Sequence, residues 1–301
     1  MLSWQLALLV RIVVGNALLP VLIKKQADKK DKYIRFFLQF QMSAVISTVL
    51  FALFATTFEP ATLLVTACLG AFTVSGTFFQ WKSLAVSGAK TSVLAFMDDV
   101  IAIILSVVFL REWERATPIA GVGVFLCGCA IVLFIARARA REQAKDGSAL
   151  PARYLANVFT YSAIWGVSYF LQNVFAVKSV GMINLIGGWY IGGSIVSLFL
   201  VRYVAKERNV VAQIALIPKL DVLMIAAIAL CVVGCMCLQY TIYHQAIQLA
   251  AQPVILVGEM VLQALVFLLV FKKERREFDR HEIGASFIAL IGTLLIMGFQ
   301  A

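Results

Sequence analysis

Charge is scarce in this sequence. Only 14% of its 301 residues are Asp, Glu, Lys or Arg, whereas 62% are hydrophobic. A soluble domain carries about a quarter charged residues, so a water-soluble globule is excluded. Histidine is rarer still. His244 and His281 are the only two and stand far apart in the chain, so no metal-ligand spacing is expected. The six cysteines (Cys68, Cys127, Cys129, Cys231, Cys235 and Cys237) all fall inside apolar runs and make no CxxC. They read as small packing residues, not as disulfides or metal ligands. A Walker phosphate loop is missing, so the chain is not expected to consume ATP. No nucleic-acid motif accompanies the net charge of +10, and nucleic acid is not an expected partner. Nor is there a cleavable leader pattern at the N-terminus. The first apolar stretch is long, contains Arg11 and reads as a span.

What the sequence does have is long apolar stretches separated by short polar breaks. Each is of the order of 20 residues, the length that crosses about 30 Å of hydrocarbon as a helix. Ten spans are expected, at 3–23, 34–56, 61–81, 91–110, 117–136, 154–176, 182–204, 220–242, 252–271 and 282–299. The longest polar connection, "RARAREQAKDGSALPAR" at 137–153, divides them into two sets of five. The fold class is therefore an all-α membrane protein, with residues 1–136 as one five-helix half, 137–153 as a basic linker and 154–301 as the other half.

The halves repeat. A shift of 162 residues lays "FLRE" at 109–112 on "FKKE" at 271–274, Trp81 on Tyr243 and Ala89 on Ala251. Five helices is an odd number, so the second copy must enter the membrane upside down, as in the inverted repeats of secondary transporters. Almost all Lys and Arg fall on the loops after odd-numbered spans, and only Arg111, Arg115 and Lys178 lie on the other side. The positive-inside rule then puts both termini outside the cytoplasm, in a plasma or inner membrane.

Particular stretches resemble the EamA-type domain of the drug/metabolite transporter superfamily. "SLAVSGAKTSVLAFMDDVIAIILSVVFLREWERATPIAGVGVFLCG" is similar to the closing part of that domain, where a span ends in an acidic signature and a glycine-bearing span follows. "IWGVSYF" at 164–170 resembles the tryptophan–glycine opening of a repeat. Val14 and Gly15 stand at the matching place in the first half, without the tryptophan. Pro253 fits the family's proline near the start of the ninth span, but the fourth span has Thr91 there. The resemblance implies a secondary transporter whose first, third, fourth, sixth, eighth and ninth spans line the substrate path. In such ten-span relatives both termini lie inside, opposite to the orientation that the charge distribution gives here.

Four ionisable residues lie near span centres: Arg11 in the first, Asp98 and Asp99 in the fourth, and Glu259 in the ninth. The two aspartates cost about 5–7 kcal/mol of insertion, and the fourth span's Leu, Ile, Val and Phe return about 5. Left alone, that span inserts marginally. Acids tolerated at such depth mark a functional site by default. The 162-residue shift sets Glu259 on Met97, beside Asp98, so the acids of both halves are expected to share a central cavity. Three carboxylates around one guanidinium cannot all be charged cheaply, so one is expected to carry a proton. Adjacent helical residues point about 100° apart, so Asp98 and Asp99 are not both expected to face that cavity fully. The plainer alternative is a buried ion pair between Arg11 and one aspartate.

Gln80, Lys82, Gln239 and His244 are further candidates for the path, and Trp165, Tyr169, Trp189 and Tyr190 for an aromatic cavity wall, though all four aromatics read chiefly as packing. The "GGWYIGG" stretch at 187–193 holds a GxxxG spacing that favours close helix approach. No catalytic residue, metal or cofactor is expected. Expected partners are a small-molecule substrate, protons and the lipid bilayer, with a homodimer admissible. Substrates in view are a small metabolite, an amino acid or an organic cation, exported in exchange for protons. Two alternatives come from other classes. An intramembrane prenyltransferase needs clustered acids for Mg²⁺ and diphosphate, but "DDVIAI" has no acid three residues on and no second cluster exists. A non-transporting membrane scaffold would need no polar cavity.

Overall fold

The computed structural model describes residues 3–55, 58–111, 118–143, 152–245, 254–255, 257–272 and 280–297. Among these residues every regular element is helical and there is no strand. In chain order the helices are α1 (Trp4–Ala27), α2 (Lys32–Phe54), α3 (Pro60–Val86) and α4 (Gly88–Phe109). They continue with α5 (Pro118–Gln143), α6 (Ala152–Val177), α7 (Met182–Val204) and α8 (Lys219–Gln245). The described chain closes with α9 (258–270) and α10 (Arg280–Met297). A short helix, Val210–Ala215, joins α7 to α8.

Local sequence sets where several of these helices begin. Ser3 caps α1 by accepting a hydrogen bond from the Leu6 amide at 3.4 Å. Pro60 occupies the first turn of α3, where its missing N–H costs nothing. Ser87, in extended conformation, ends α3 and caps α4. One serine thus closes α3 and opens α4.

Six helices, α1, α2, α3, α4, α7 and α8, are long and apolar enough to cross a membrane by length and composition. Shorter apolar segments, Gly121–Arg137, Val261–Val270 and Ile283–Leu295, lie within α5, α9 and α10. Helix α6, at 26 residues, has the length but not the composition. Tyr161, Ser162, Trp165, Ser168, Tyr169, Gln172 and Asn173 interrupt its apolar run. The outer surface carries bare Leu53, Phe54, Phe125, Leu230 and Leu269, the pattern of an all-α protein whose solvent is lipid.

Helix α3 packs on α7 and α6, α4 on α6, and α5 on α10. Helix α8 packs on α1, α2 and α6, α2 also on α7, α1 also on α3, and α9 on α4 and α1. The α3–α7 contact is the tightest. A methyl group added to Gly188 would stand 2.0 Å from Thr66 Oγ1, and one on Gly192 would stand 1.9 Å from the Ala67 carbonyl. Helix α5 crosses α10 antiparallel, with the Cys127 thiol 3.7 Å from the Ala289 carbonyl, a separation of 162 residues.

One end of the bundle is tied by ionic contacts. Buried Arg35 bonds Asp31 at 2.7 Å and Asp221 at 2.8 Å, and also the Gln26 carbonyl. This joins the α1–α2 turn to the first turn of α8.

Candidate functional site

Two apolar clusters fill the interior. One contains Phe36, Phe40, Phe78, Trp81, Trp189, Tyr190 and Tyr240, and the other contains Phe96, Ile103, Phe134, Tyr154, Tyr161 and Ala264. Where they meet lies a cavity of about 130 Å³. At roughly 10–15 Å³ per water-sized sphere, that is room for on the order of ten waters or for one small organic molecule. Its wall takes residues from α1, α2, α3, α4, α6, α7, α8 and α9, so both halves of the chain contribute.

Three of the contributing helices are irregular at the point where they carry an intramembrane ionisable residue. Helix α1 loosens into a π turn at Val13–Leu18, directly after Arg11. Helix α9 does the same at Gly258–Gln263, the turn that contains Glu259. Helix α4 tightens instead. The Ala95 amide bonds the Ser92 carbonyl at 3.2 Å, and the Asp98 amide bonds the Ala95 carbonyl at 3.1 Å, each spanning three residues. Thr91 and Ser92 donate their hydroxyls to carbonyls four residues back, at 2.6 and 2.8 Å, a habit that bends helices. Irregular turns inside membrane helices are tolerated where they line a cavity.

Arg11 is buried beside the cavity and is held by the protein. Its Nε donates to Gln239 Oε1 at 3.2 Å and its Nη1 to Asn16 Oδ1 at 2.8 Å. Asn16 passes the link to the Ile255 carbonyl at 3.2 Å. Gly15 makes this possible, because a methyl there would overlap the guanidinium at 2.0 Å from Nη1. Asp98 lines the cavity with 4% of its surface exposed, whereas Asp99 is fully buried outside the cavity wall. Asp98 Oδ1 accepts a bond from the Asp99 amide at 2.9 Å. Gly166 of α6 sits against the Asp98 carbonyl, and a methyl there would come within 2.7 Å of it. Both glycines of the tryptophan–glycine comparison therefore adjoin residues of the site.

Of the residues expected from sequence, Arg11, Gln80, Asp98, Trp165, Tyr169 and Gln239 are brought together on the cavity wall. Three are not. Asp99 turns away because it lies about 100° around the helix from Asp98. Lys82 leaves the path altogether, its Nζ resting over the rings of Phe78 and Phe79 at 4.2 and 5.3 Å. Exposed His244 lies at the last turn of α8, 6.2 Å from the Tyr240 ring. The side chain of Glu259 lies outside the described residues, as do Pro253, Glu112 and the 273–279 stretch of the acidic signature.

The sequence reading missed Gln39, Thr73, Thr77, Gln172 and Gln263, all on the cavity wall. It also undervalued Trp189 and Tyr190, which pack and line the wall at once. Uncharged amides in mid-span were the available signal, because each needs a partner away from water. Gln39, Gln172 and Gln239 are 2–3% exposed. Four buried polar atoms on the wall, Gln39 Oε1, Gln172 Oε1, Gln239 Nε2 and Trp165 Nε1, have no hydrogen-bond partner among the described residues. The Trp165 and Tyr169 rings, both on the wall, stand 5.2 Å apart at 38°.

No protein-family model matches the chain, and no curated protein matches it in sequence. Solved structures do resemble it, with 22 chains matching. One, described as the crystal structure of a protein, superposes with a TM-score of 0.61 over 97% of this chain and 95% of its own, at 12% identity. At that identity the likeness is one of fold: the same helical architecture exists, from end to end, in another protein.

Proposed function

We propose that the chain is a secondary active transporter that moves a small organic solute by alternating access, with Asp98 carrying the exchanged proton. Its ten helices are ten spans, arranged as two inverted five-helix repeats at 1–136 and 154–301 around the linker 137–153. The EamA-type resemblance implies this organisation, while the Lys and Arg distribution, opposite to such relatives, puts both termini outside the cytoplasm of a plasma or inner membrane.

The packing supports the repeat. Exchanging each helix with the one five places along maps the contacts between helices not adjacent in the chain onto one another. The pair α3–α7 becomes α8–α2, α4–α6 becomes α9–α1, α3–α6 becomes α8–α1, and α6–α8 becomes α1–α3. Pairs α5–α10, α2–α7 and α4–α9 map onto themselves. A twofold relation requires the self-mapped helices to meet at equivalent residues. Cys127 meets Ala289, 162 positions on, the same offset that aligns the two sequences. Ala95 and residue 257 are related by that offset too, and each marks the irregular turn of its helix.

The observation that carries the functional reading is the cavity itself. It sets polar side chains among apolar ones, is walled by both halves, and is lined by helices with irregular turns beside Arg11 and Asp98. A scaffold has no use for such a space. Broken helices around a midplane site are the common construction of secondary transporters.

The test uses proteoliposomes loaded with a pH-sensitive dye and challenged one at a time with amino acids, amines and heterocycles. At least one solute should evoke proton movement in the wild type, and Asp98→Asn should reduce it at least tenfold while retaining its elution profile. Solute-evoked proton movement unchanged in Asp98→Asn, or no movement for any solute, contradicts the proposal.

A further inference from the structure

We propose that the cavity recognises an uncharged, planar heteroaromatic molecule, one that presents hydrogen-bond donors and acceptors along its edge and a flat face to the Trp165–Tyr169 rings. This inference rests on the cavity being the substrate site, and it names the class of substrate.

Among the described residues, the fully buried wall atoms without a partner belong to neutral side chains. Gln39 Oε1 and Gln172 Oε1 are buried acceptors without partners among the described residues, and Trp165 Nε1 is a buried donor in the same condition. Gln239 has its orientation fixed by Arg11, whose Nε takes the carbonyl oxygen at 3.2 Å. The Gln239 NH₂ group is therefore the end left to donate, and Nε2 has no partner among the described residues. All four atoms belong to residues of the cavity wall. A buried amide left unbonded is costly, so a wall built for packing alone would carry leucine or methionine at these places.

The positive charge of the site is already engaged within the protein. Arg11 bonds Gln239 and Asn16, so a free anion would compete with bonds already in place. An incoming charge would also have to shed its water, at a cost that a neutral molecule avoids. Acceptors on α2 and α6 and donors on α6 and α8 share the wall. That mixture suits a ring edge bearing both N–H groups and ring nitrogens or carbonyls, which glutamine amides read well. The aromatic pair, with ring centroids 5.2 Å apart, supplies a stacking wall for a flat ring. The space holds on the order of ten water-sized spheres, enough for one or two fused rings.

The test is binding of tritiated adenine to the purified full chain in detergent, with competition by uracil, nicotinamide, choline, lysine and benzoate. Saturable adenine binding is expected, displaced by the neutral heterocycles and not by the three charged compounds. Gln39→Met and Gln172→Met keep the side-chain length and remove the amide. Each should weaken adenine binding at least tenfold while the ligand-free protein melts at the same or a higher temperature, a pattern that a purely structural glutamine would not give. Choline or lysine binding in place of adenine, binding of no neutral heterocycle, or unchanged adenine binding in both Met variants overturns the inference. Adenine that binds but does not cross proteoliposomes sinks the transporter reading and leaves this one standing. Charged solutes that cross while adenine does not bind do the reverse.

Discussion

At the scale of single residues, the site is decided by direction more than by identity. Asp98 and Asp99 are neighbours of the same chemistry, yet only Asp98 reaches the cavity. Asp98→Asn should therefore abolish proton coupling, while Asp99→Asn should keep it within threefold of wild type. Dye-loaded proteoliposomes measure both, and equal losses would show that the cavity does not distinguish them. Gly15→Ala should weaken transport too, because its methyl would stand 2.0 Å from Arg11 Nη1 and displace the guanidinium. The charged members of the site were legible in the sequence because a charge in an apolar run is costly. Gln39 and Gln172 were not, since neutral amides interrupt a run far less. Lys82 misled for the opposite reason: its long apolar stem lets the ammonium leave the path and lie 4.2 Å over Phe78.

At the scale of elements, glycines divide into those that carry a helix crossing and those that carry none. Gly192→Ala places a methyl 1.9 Å from the Ala67 carbonyl. Helices α3 and α7 must then separate, at a cost of about 1–3 kcal/mol. Gly234→Ala meets nothing within 4 Å and should gain about 0.5–1 kcal/mol from helix propensity. Thermal melts of the purified variants in one detergent check both signs, and a reversed order would refute the α3–α7 contact. Element boundaries were largely legible: 182–204 was expected and Met182–Val204 is found, 34–56 was expected and Lys32–Phe54 is found. The irregular turns of α1, α4 and α9 were not, because the side-chain pattern of a π turn or a tightened turn is that of the helix around it. A span was expected at 154–176, but the composition of α6 keeps it out of the apolar spans, and its Tyr161, Trp165 and Gln172 supply much of the wall.

At the scale of the whole molecule, the cavity depends on how α1, α2 and α8 are held together. Arg35, Asp31, Asp221 and Gln26 make that tie at one end. Asp221→Asn leaves buried Arg35 with one carboxylate fewer and should destabilise the protein by about 1–3 kcal/mol; an unchanged melting temperature would remove the tie from the account. The helical, membrane-type fold was legible from hydropathy alone, because stretches of about 20 apolar residues have few other uses. The proposed repeat has only a faint signal in the sequence, a handful of matched residues at an offset of 162. The contact of Cys127 with Ala289 at that offset adds a spatial reason that no alignment of side chains supplies. Orientation rests on charge distribution, and an impermeant thiol reagent applied to a cysteine in the 137–153 linker of intact cells should fail to label it.

The most direct test of the central claim needs no known substrate. Thr77 lines the cavity and, among the described residues, bonds only within its own helix, to the Thr73 carbonyl at 3.3 Å, so Thr77→Cys in a cysteine-free variant is a mild change. The measurement is its reaction with a membrane-impermeant methanethiosulfonate in right-side-out and in inside-out vesicles, with Ala102→Cys, fully buried and off the cavity wall, as the control. An alternating, water-filled cavity predicts labelling of Thr77→Cys from both faces and of Ala102→Cys from neither. Labelling of Thr77→Cys from one face only, or from none, contradicts it.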